Sequence, residues 1–556
     1  MQQAFHSHER LVTPTPSAYE YPLLVKQLLI NALALNAHQE ITYRGETRYS
    51  YADLRRRIGQ LASMLESFGV QAGATVAVMD WDSHRYLECY FAVPMMGAVL
   101  CTVNVRTSPN QIKYALNDSN TQLLIANAEF LPFLEQIYAG LTNPPLLIIA
   151  QDDGGAALPA THLPLAGVYE LCLTAAAPDF VFRDFDERTC AALFYTTGTT
   201  GDPKGVSYSH RQIVLHTLTV ATTLSSARDE QCLHRDDVYM PITPMFHVLA
   251  WGIPYVAVML GLKIVLPGRY SADVLLRLRR TEGVTFSHCV PTLLQMLLDG
   301  AARDDQDLSG WKLMIGGSVL SPSLCRAALA KGVDVFSGYG MSETGPMVTL
   351  SQFPPTALPM ETDERVRKLC MAGRPVPLVE LRVVDSDMRD VPQDGEARGE
   401  IILRAPFLTL GYYGQRDASE VLWKGGYLHT QDIAVIHPDG YLQIVDRIKD
   451  VIKTGGEWIS SVEIEVYINE IPDVLESAVI GVKDEKWGER PVALVVCAAG
   501  SALTPLDVRE YLLTLASANR ISRYAVPEST RIVFVDEIPK TGVGKLDKKR
   551  LRKWID

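Results

Sequence analysis

The chain has 556 residues, 47% of them hydrophobic and 21% charged, which is room for roughly two to four domains with large buried cores and excludes a disordered or fibrous chain. Lysine and arginine number 52 against 64 aspartates and glutamates, so a net charge of −12 excludes nucleic-acid binding by bulk charge, while a local basic pocket for a small phosphorylated ligand stays open. The nine cysteines contain no C-x-x-C and the twelve histidines no H-E-x-x-H, which leaves the scattered reduced thiols of a cytoplasmic protein and no ligand set for a zinc hydrolase.

The N-terminus has no basic start followed by an apolar core, so no secretory signal is expected. The first clear element is a helix near 51–68, where Ser50 and Asp53 set a capping box and Leu54, Ile58, Leu61 and Leu65 share one face. Strand, helix, strand, helix and strand then follow at 75–83, 84–98, 99–104, 111–120 and 121–127. This alternation predicts a parallel α/β sheet. Residues 150–185, rich in Ala, Gly, Pro and Asp, read as a long surface connection. The most membrane-like stretch, Val248 to Leu262, is too short to span a bilayer and is broken by Gly252, Pro254 and Gly261, so it reads as core or pocket wall.

The alternation resumes with a strand at 284–290, a helix at 292–300, and strand, helix, strand at 311–318, 321–332 and 333–340. From about residue 380 short β runs at 381–387, 399–406 and 440–446 predict a β-rich subdomain. The last hundred or so residues read as a compact α+β domain: helix 461–471, strands 476–484 and 490–499, helix 504–518, strand 531–539 and a basic tail at 545–554. No repeat of 20–50 residues is visible.

The chemistry is concentrated in Tyr195-Thr196-Thr197-Gly198-Thr199-Thr200-Gly201-Asp202-Pro203-Lys204-Gly205, which leaves the apolar run before it. Glycines bring backbone amides close to an anion, threonines add hydroxyl donors and Lys204 adds a charge, so the loop suits a polyphosphate. It is not a Walker A loop. Further ordered motifs are Pro244-Met245-Phe246-His247, Gly338-Tyr339-Gly340-Met341-Ser342-Glu343-Thr344, Leu428-His429-Thr430-Gln431-Asp432, Asp446-Arg447-Ile448-Lys449-Asp450, Gly455-Gly456-Glu457 and Pro539-Lys540-Thr541-Gly542-Val543-Gly544-Lys545. Taken singly, Glu343, Asp432, Arg447 and Lys545 suit ordinary surface charges, and His247 a core histidine.

Together these motifs resemble the acyl-adenylate-forming superfamily of acyl-CoA synthetases, peptide-synthetase adenylation domains and luciferases. The resemblance implies an α/β fold with a large N-terminal domain, residues 1–447, made of parallel α/β sheets and a β-rich subdomain at about 380–447. A hinge at 448–450, with Lys449 as pivot, leads to a small mobile α+β C-terminal domain, residues 451–556. It implies ATP and AMP binding by the Thr196–Gly201 loop, Lys204, Gly317, Ser318, the run Gly338 to Ser342, and a ribose pair, Asp432 and Arg447. Thr196 and Glu343 would hold Mg²⁺, and Lys545 would be the catalytic lysine of adenylation, with Lys204, Thr196, Glu343 and His247 also in the catalytic set. His247, Trp251, Gly316 and Gly317 would form the acyl pocket, with further wall from Phe286 to Val290 and Met314 to Leu320. Gly455, Gly456 and Trp458 would face coenzyme A.

Two departures from the pattern stand out. Ser342 replaces the usual threonine and keeps the hydroxyl. Gln431 replaces the usual glycine, and would be strained if its φ must be positive.

The implied activity is conversion of a fatty, medium- or long-chain, carboxylic acid to acyl-AMP and then to acyl-CoA. An activator of 3-methylthiopropionate or another short or branched acid, and a carrier-loading or luciferase-like enzyme, are alternatives. No charged residue occurs in PMFHVLAWGIPY, so the acid is expected to be largely apolar. A non-enzymatic module is disfavoured by the joint presence of Lys204, Glu343, Asp432, Arg447 and Lys545. A serine hydrolase is disfavoured because no G-x-S-x-G occurs. The expected partners are small molecules, with no nucleic acid and no transmembrane segment; a homodimer stays open.

Overall fold

A computed structural model describes residues 12–152, 158–196, 202–227, 229–353, 360–454, 457–518, 520–541 and 545–555, with the backbone alone at 457 and 458. Thr197, Gly198, Thr199, Thr200, Gly201, Gly455, Gly456 and the side chain of Trp458 therefore lie outside the described residues.

The helix Tyr51–Ser67 carries the expected capping box, with Ser50 Oγ accepting the Asp53 N–H at 3.2 Å and the Asp53 carboxylate accepting the Ser50 N–H at 3.1 Å. Leu54, Ile58, Leu61 and Leu65 are all fully buried. Each such side chain contributes about 1.5–3 kcal/mol by leaving water. A helix, Gln27–Asn36, and a hairpin, Glu40–Tyr43 with Thr47–Ser50, precede it.

The alternation at 75–127 forms the middle of a sheet that has seven strands among the described residues, ordered Leu165–Val168, Leu146–Ala150, Thr121–Asn127, Thr75–Met79, Val99–Thr102, Cys190–Thr196, Lys204–Ser209. All its pairs are parallel except the last, a hairpin with Thr196 opposite Lys204. The strand predicted over 75–83 stops at Met79, because Ser83 accepts the Tyr86 N–H at 3.2 Å and starts the helix His84–Met95. Every residue of that helix is buried, and it touches strands of both large sheets.

The second large sheet is ordered Arg374–Pro375, Thr349–Leu350, Asp334–Tyr339, Lys312–Ile315, Phe286–Cys289, Val238–Pro241, Lys263–Leu266, Glu40–Tyr43, Thr47–Ser50. Its five central strands and Glu40–Tyr43 form parallel pairs, and antiparallel strands lie at both edges.

The segment 150–185 is not only a connection. It supplies the edge strand Leu165–Val168 and the helix Tyr169–Ala175. Tyr169 donates to buried Glu88 at 2.7 Å, and Arg57 reaches both Glu88 and Glu170. Tertiary bonds hold these short elements, so no sequence periodicity marks them.

The predicted β runs beyond 380 lie in an antiparallel sheet of Glu380–Val384, Gly399–Arg404, Tyr427–Ile436, Trp423–Lys424 and Leu442–Arg447. A last sheet joins Ile452–Thr454, Glu457–Ile459, Val474–Asp484, Gly488–Cys497 and Ile532–Phe534. The strand predicted over 531–539 is thus three residues long, and the basic tail forms the helix Lys548–Ile555, anchored by buried Leu551. No helix among the described residues is long and apolar enough to cross a membrane.

Candidate active site

The strands Cys190–Thr196 and Lys204–Ser209 pair antiparallel, and the glycine–threonine run lies between them in sequence, its residues 197–201 outside the described ones. The flanking Thr196 and Lys204 face each other and line a cleft of about 2410 Å³. The Lys204 ammonium lies 4.4 Å from the centre of the Tyr412 ring, a cation–π contact. The Tyr412 hydroxyl donates to Glu343 Oε1 at 2.7 Å. Glu343 sits in a turn, Ser342–Thr344, just after the strand Asp334–Tyr339. Burial pushes its carboxyl up, and Tyr412 and the Arg447 and Lys204 charges oppose that. The turn needs Gly340, since a Cβ there would lie 1.3 Å from the Pro346 carbonyl oxygen.

Asp432 and Arg447 are paired across the strands Tyr427–Ile436 and Leu442–Arg447, with Arg447 Nε 3.2 Å from Asp432 Oδ1. The Tyr339 hydroxyl donates to the other oxygen, Asp432 Oδ2, at 2.7 Å. The residue before Asp432 does require a left-handed backbone: Gln431 has φ +61°. It is held there by its N–H donating to Glu400 Oε1 at 3.0 Å and its carbonyl accepting the Ile448 N–H at 2.9 Å.

Lys545 is hydrogen-bonded back to Thr541. The Thr541 N–H donates to the Lys545 carbonyl at 2.7 Å, and the Lys545 N–H to Thr541 Oγ1 at 3.2 Å. The side chain crosses to the larger part of the molecule, where a Cβ added to Gly317 would lie 3.2 Å from Lys545 Cε. Burial and the Arg447 charge push its ammonium down to about 8, against the pull of Asp432 and Glu343.

The chain from Val248 to Gly252, whose Val248 and Trp251 line the same cleft, turns left-handed, with φ of 48°, 53°, 46°, 59° and 73°. Each of the four non-glycine residues costs roughly 1–2 kcal/mol in that conformation. Neighbouring side chains clamp the segment before it. Asp82 accepts the Met245 N–H at 2.6 Å, Tyr90 donates to the Met245 carbonyl at 2.5 Å, and Thr102 donates to the Phe246 carbonyl at 3.0 Å. The strained turn lays the Trp251 ring 5.0 Å from that of His288 and against Gly316, where a Cβ would meet Trp251 Cη2 at 3.1 Å. His247 is pushed down to about 3, first by burial and then by the Lys545 and Arg106 charges, so it is neutral at pH 7.

Every residue predicted for catalysis, nucleotide, metal, hinge or the His247–Trp251–Gly316–Gly317 acyl pocket whose side chain is described lines this one cleft, including Ser318, Gly338, Met341, Ser342 and Lys449. Met314 and the run Gly316 to Leu320 also line it. Phe286 to Cys289 do not form pocket wall: they are a buried strand in the middle of the second large sheet. Val290, at the end of that strand, reaches Gly317 instead. Sequence reasoning missed Tyr412, which touches Lys204 and Glu343 at once, and a lone tyrosine in a loop carries no signal of that.

The AMP-binding enzyme family matches residues 31–413, and the AMP-binding enzyme C-terminal domain matches residues 463–545. The chain is 39% identical to a long-chain-fatty-acid–CoA ligase of Thermus thermophilus, over 94% of each chain. It is 36% identical to a 3-methylmercaptopropionyl-CoA ligase of Ruegeria lacuscaerulensis, over 96% of this chain and 97% of that one. It is 34% identical to a medium-chain-fatty-acid–CoA ligase of Ectopseudomonas oleovorans, over 91% of this chain and 90% of that one. Among solved structures, the anthranilate CoA ligase AuaEII in complex with anthranoyl-AMP shares the fold, with a TM-score of 0.83 at 23% identity over 96% of this chain and 98% of that one. Two matched regions in order, together with near full-length relatives, establish that the chain belongs to the AMP-binding enzyme family.

Proposed function

We propose that the protein joins a fatty carboxylic acid to coenzyme A in two steps, through an acyl-adenylate. The observation that carries this reading is the cleft itself. Lys545, Glu343, Asp432 and Arg447 share one electrostatic field there, facing an apolar wall of Trp251 and Gly316. ATP enters with its phosphates toward Thr196 and Lys204 and its ribose on Asp432 and Arg447, whose carboxylate and guanidinium suit the two hydroxyls. The acid's carboxylate attacks the α-phosphate, and pyrophosphate leaves. Charge grows on the phosphoryl oxygens, and the Lys545 ammonium stabilises that charge more in the transition state than in the ground state.

The donor set fits Mg²⁺. Glu343 and the Thr196 hydroxyl, both lining the cleft, offer the hard oxygens such an ion takes. When bound, Mg²⁺ would neutralise phosphate charge. In the second step the C-terminal domain turns about Lys449, removes Lys545 and brings the Gly455, Gly456 and Trp458 loop to the acyl-adenylate. The coenzyme A thiolate then displaces AMP. The free cysteines suit a cytoplasmic setting.

An acid panel scored for coenzyme A-dependent AMP formation tests this reading. Straight-chain fatty acids should exceed amino acids strongly, since each buried methylene adds about 0.8 kcal/mol. The panel includes 3-methylthiopropionate, because one relative is a 3-methylmercaptopropionyl-CoA ligase. A preference for amino acids, or AMP formation indifferent to coenzyme A, would refute the reading.

A further inference from the structure

Three residues after Lys545, the helix Lys548–Ile555 opens on a lysine that is withdrawn from solvent. Lys548 Nζ donates to Ser461 Oγ at 2.6 Å and lies 2.7 Å from Glu465 Oε1, both on the helix Ser461–Ile468. Ser461 passes the link on: its N–H and its hydroxyl both donate to Asp446 Oδ2, each at 2.6 Å. The other Asp446 oxygen accepts the Arg447 N–H at 2.7 Å. Beside this, the Ser460 hydroxyl donates to the Val445 carbonyl at 2.6 Å. Asp446, Ser461 and Glu465 are 2%, 0% and 7% exposed. A continuous polar chain thus runs from the strand that carries Arg447 to the helix that follows Lys545. At its Lys548 end, Glu465 and Asp446 outweigh burial and keep the lysine charged.

We propose that Asp446, Ser461 and Lys548 form a positioning relay that holds the Lys545 turn in place for adenylation and lets go before the coenzyme A step. The inference rests on the reading that Lys545 serves adenylation and that the C-terminal domain turns about Lys449. Asp446 precedes that pivot, and Ser461, Glu465 and Lys548 follow it. Rotation therefore keeps Ser461, Lys548 and Glu465 together and separates Ser461 from Asp446. The bonds that break are charge-assisted and buried, so they bias the resting enzyme toward the first step. None of the three touches a reacting atom; they act through Lys545.

The test runs the two half-reactions separately on the full-length chain. Ser461→Ala removes the hydroxyl that joins Asp446 to Lys548 and keeps the backbone N–H. Adenylation from ATP and acid should slow roughly tenfold, the size of one lost hydrogen bond to a charged group. Conversion of supplied acyl-adenylate and coenzyme A to thioester should keep its rate or gain. Ser461→Thr restores a hydroxyl and should restore adenylation. Asp446→Asn, which keeps the size but not the charge, should split the half-reactions in the same direction. Wild-type adenylation in both Ser461→Ala and Asp446→Asn, equal loss in both half-reactions, or no rescue by threonine overturns the relay. Lys545→Ala runs in parallel: if it keeps adenylation, the underlying assignment of Lys545 falls, whatever the relay variants do.

Discussion

The Lys545 ammonium is pushed down by burial and by Arg447 and held up by Asp432 and Glu343, which sets it at about 8. In the role proposed for Lys545, only the charged form would stabilise the growing phosphoryl charge. Adenylation kcat/KM, which reports the free enzyme, should therefore fall as pH rises through about 8. Thioester formation from supplied acyl-adenylate should lack that limb. Lys545→Arg stays charged past pH ~12 and should lose the limb whatever its absolute rate; a limb unchanged in that variant assigns it to another group. Gln431 makes a second case. At φ +61° it carries left-handed strain of roughly 1–2 kcal/mol. Gln431→Gly removes the strain and adds less than about 1 kcal/mol of unfolded-chain entropy. Its melting temperature should hold or rise, while that of Gln431→Val should fall, because a β-branched side chain tolerates positive φ least. The resemblance to the acyl-adenylate-forming superfamily, whose pattern has glycine before the aspartate, marks Gln431 as a departure. Tyr412 was hidden, because its bond to Glu343 spans 69 residues and owes nothing to local sequence.

At the scale of elements, the proposed acyl wall rests on a turn and a strand end that press on each other. Trp251 leans on Gly316 closely enough that a Cβ would sit 3.1 Å from its ring. Gly316→Val should therefore displace the indole into the pocket and shift the acid preference toward shorter chains, measured as the kcat/KM ratio of an eight-carbon to a four-carbon acid. A ratio equal to wild type would remove Trp251 and Gly316 from the pocket wall. The strands and helices that alternate over 75–127 were legible because short apolar strand runs alternate there with helix-length segments, although the strand Thr75–Met79 and the helix His84–Met95 are buried on every face. The helix Tyr169–Ala175 was not, since Arg57, Glu88 and Glu170 hold it by contacts made only in the fold. Likewise the stretch Val248 to Leu262 was readable as core or pocket wall, but the left-handed course of Val248–Gly252 was not, because the clamps on Met245 and Phe246 come from Asp82, Tyr90 and Thr102, more than a hundred residues earlier.

Across the whole molecule, four enclosed histidines bear on acid stability. Burial pushes His216, His247 and His288 down to about 3 and His210 to about 4. His210 accepts the Val25 N–H at 3.1 Å and His216 the Met347 N–H at 3.2 Å, bonds that only the neutral ring can make. Unfolded histidines take protons near pH ~6.5. Between that pH and about 4 the unfolded chain binds more protons, so stability falls as pH falls. Each histidine contributes up to about 1.4 kcal/mol per pH unit in that window. Urea midpoints measured from pH 7 to pH 4.5 should drop steadily, and His288→Asn should flatten the slope; a flat wild-type profile would contradict the assignment. The strained turn at Val248–Trp251 has a further consequence, for heat. A segment kept taut only by neighbours is the part that relaxes first when those neighbours loosen. On warming, catalytic competence should disappear several degrees before far-ultraviolet circular dichroism registers melting, and a tightly bound acyl-adenylate should close that gap by propping the turn from inside.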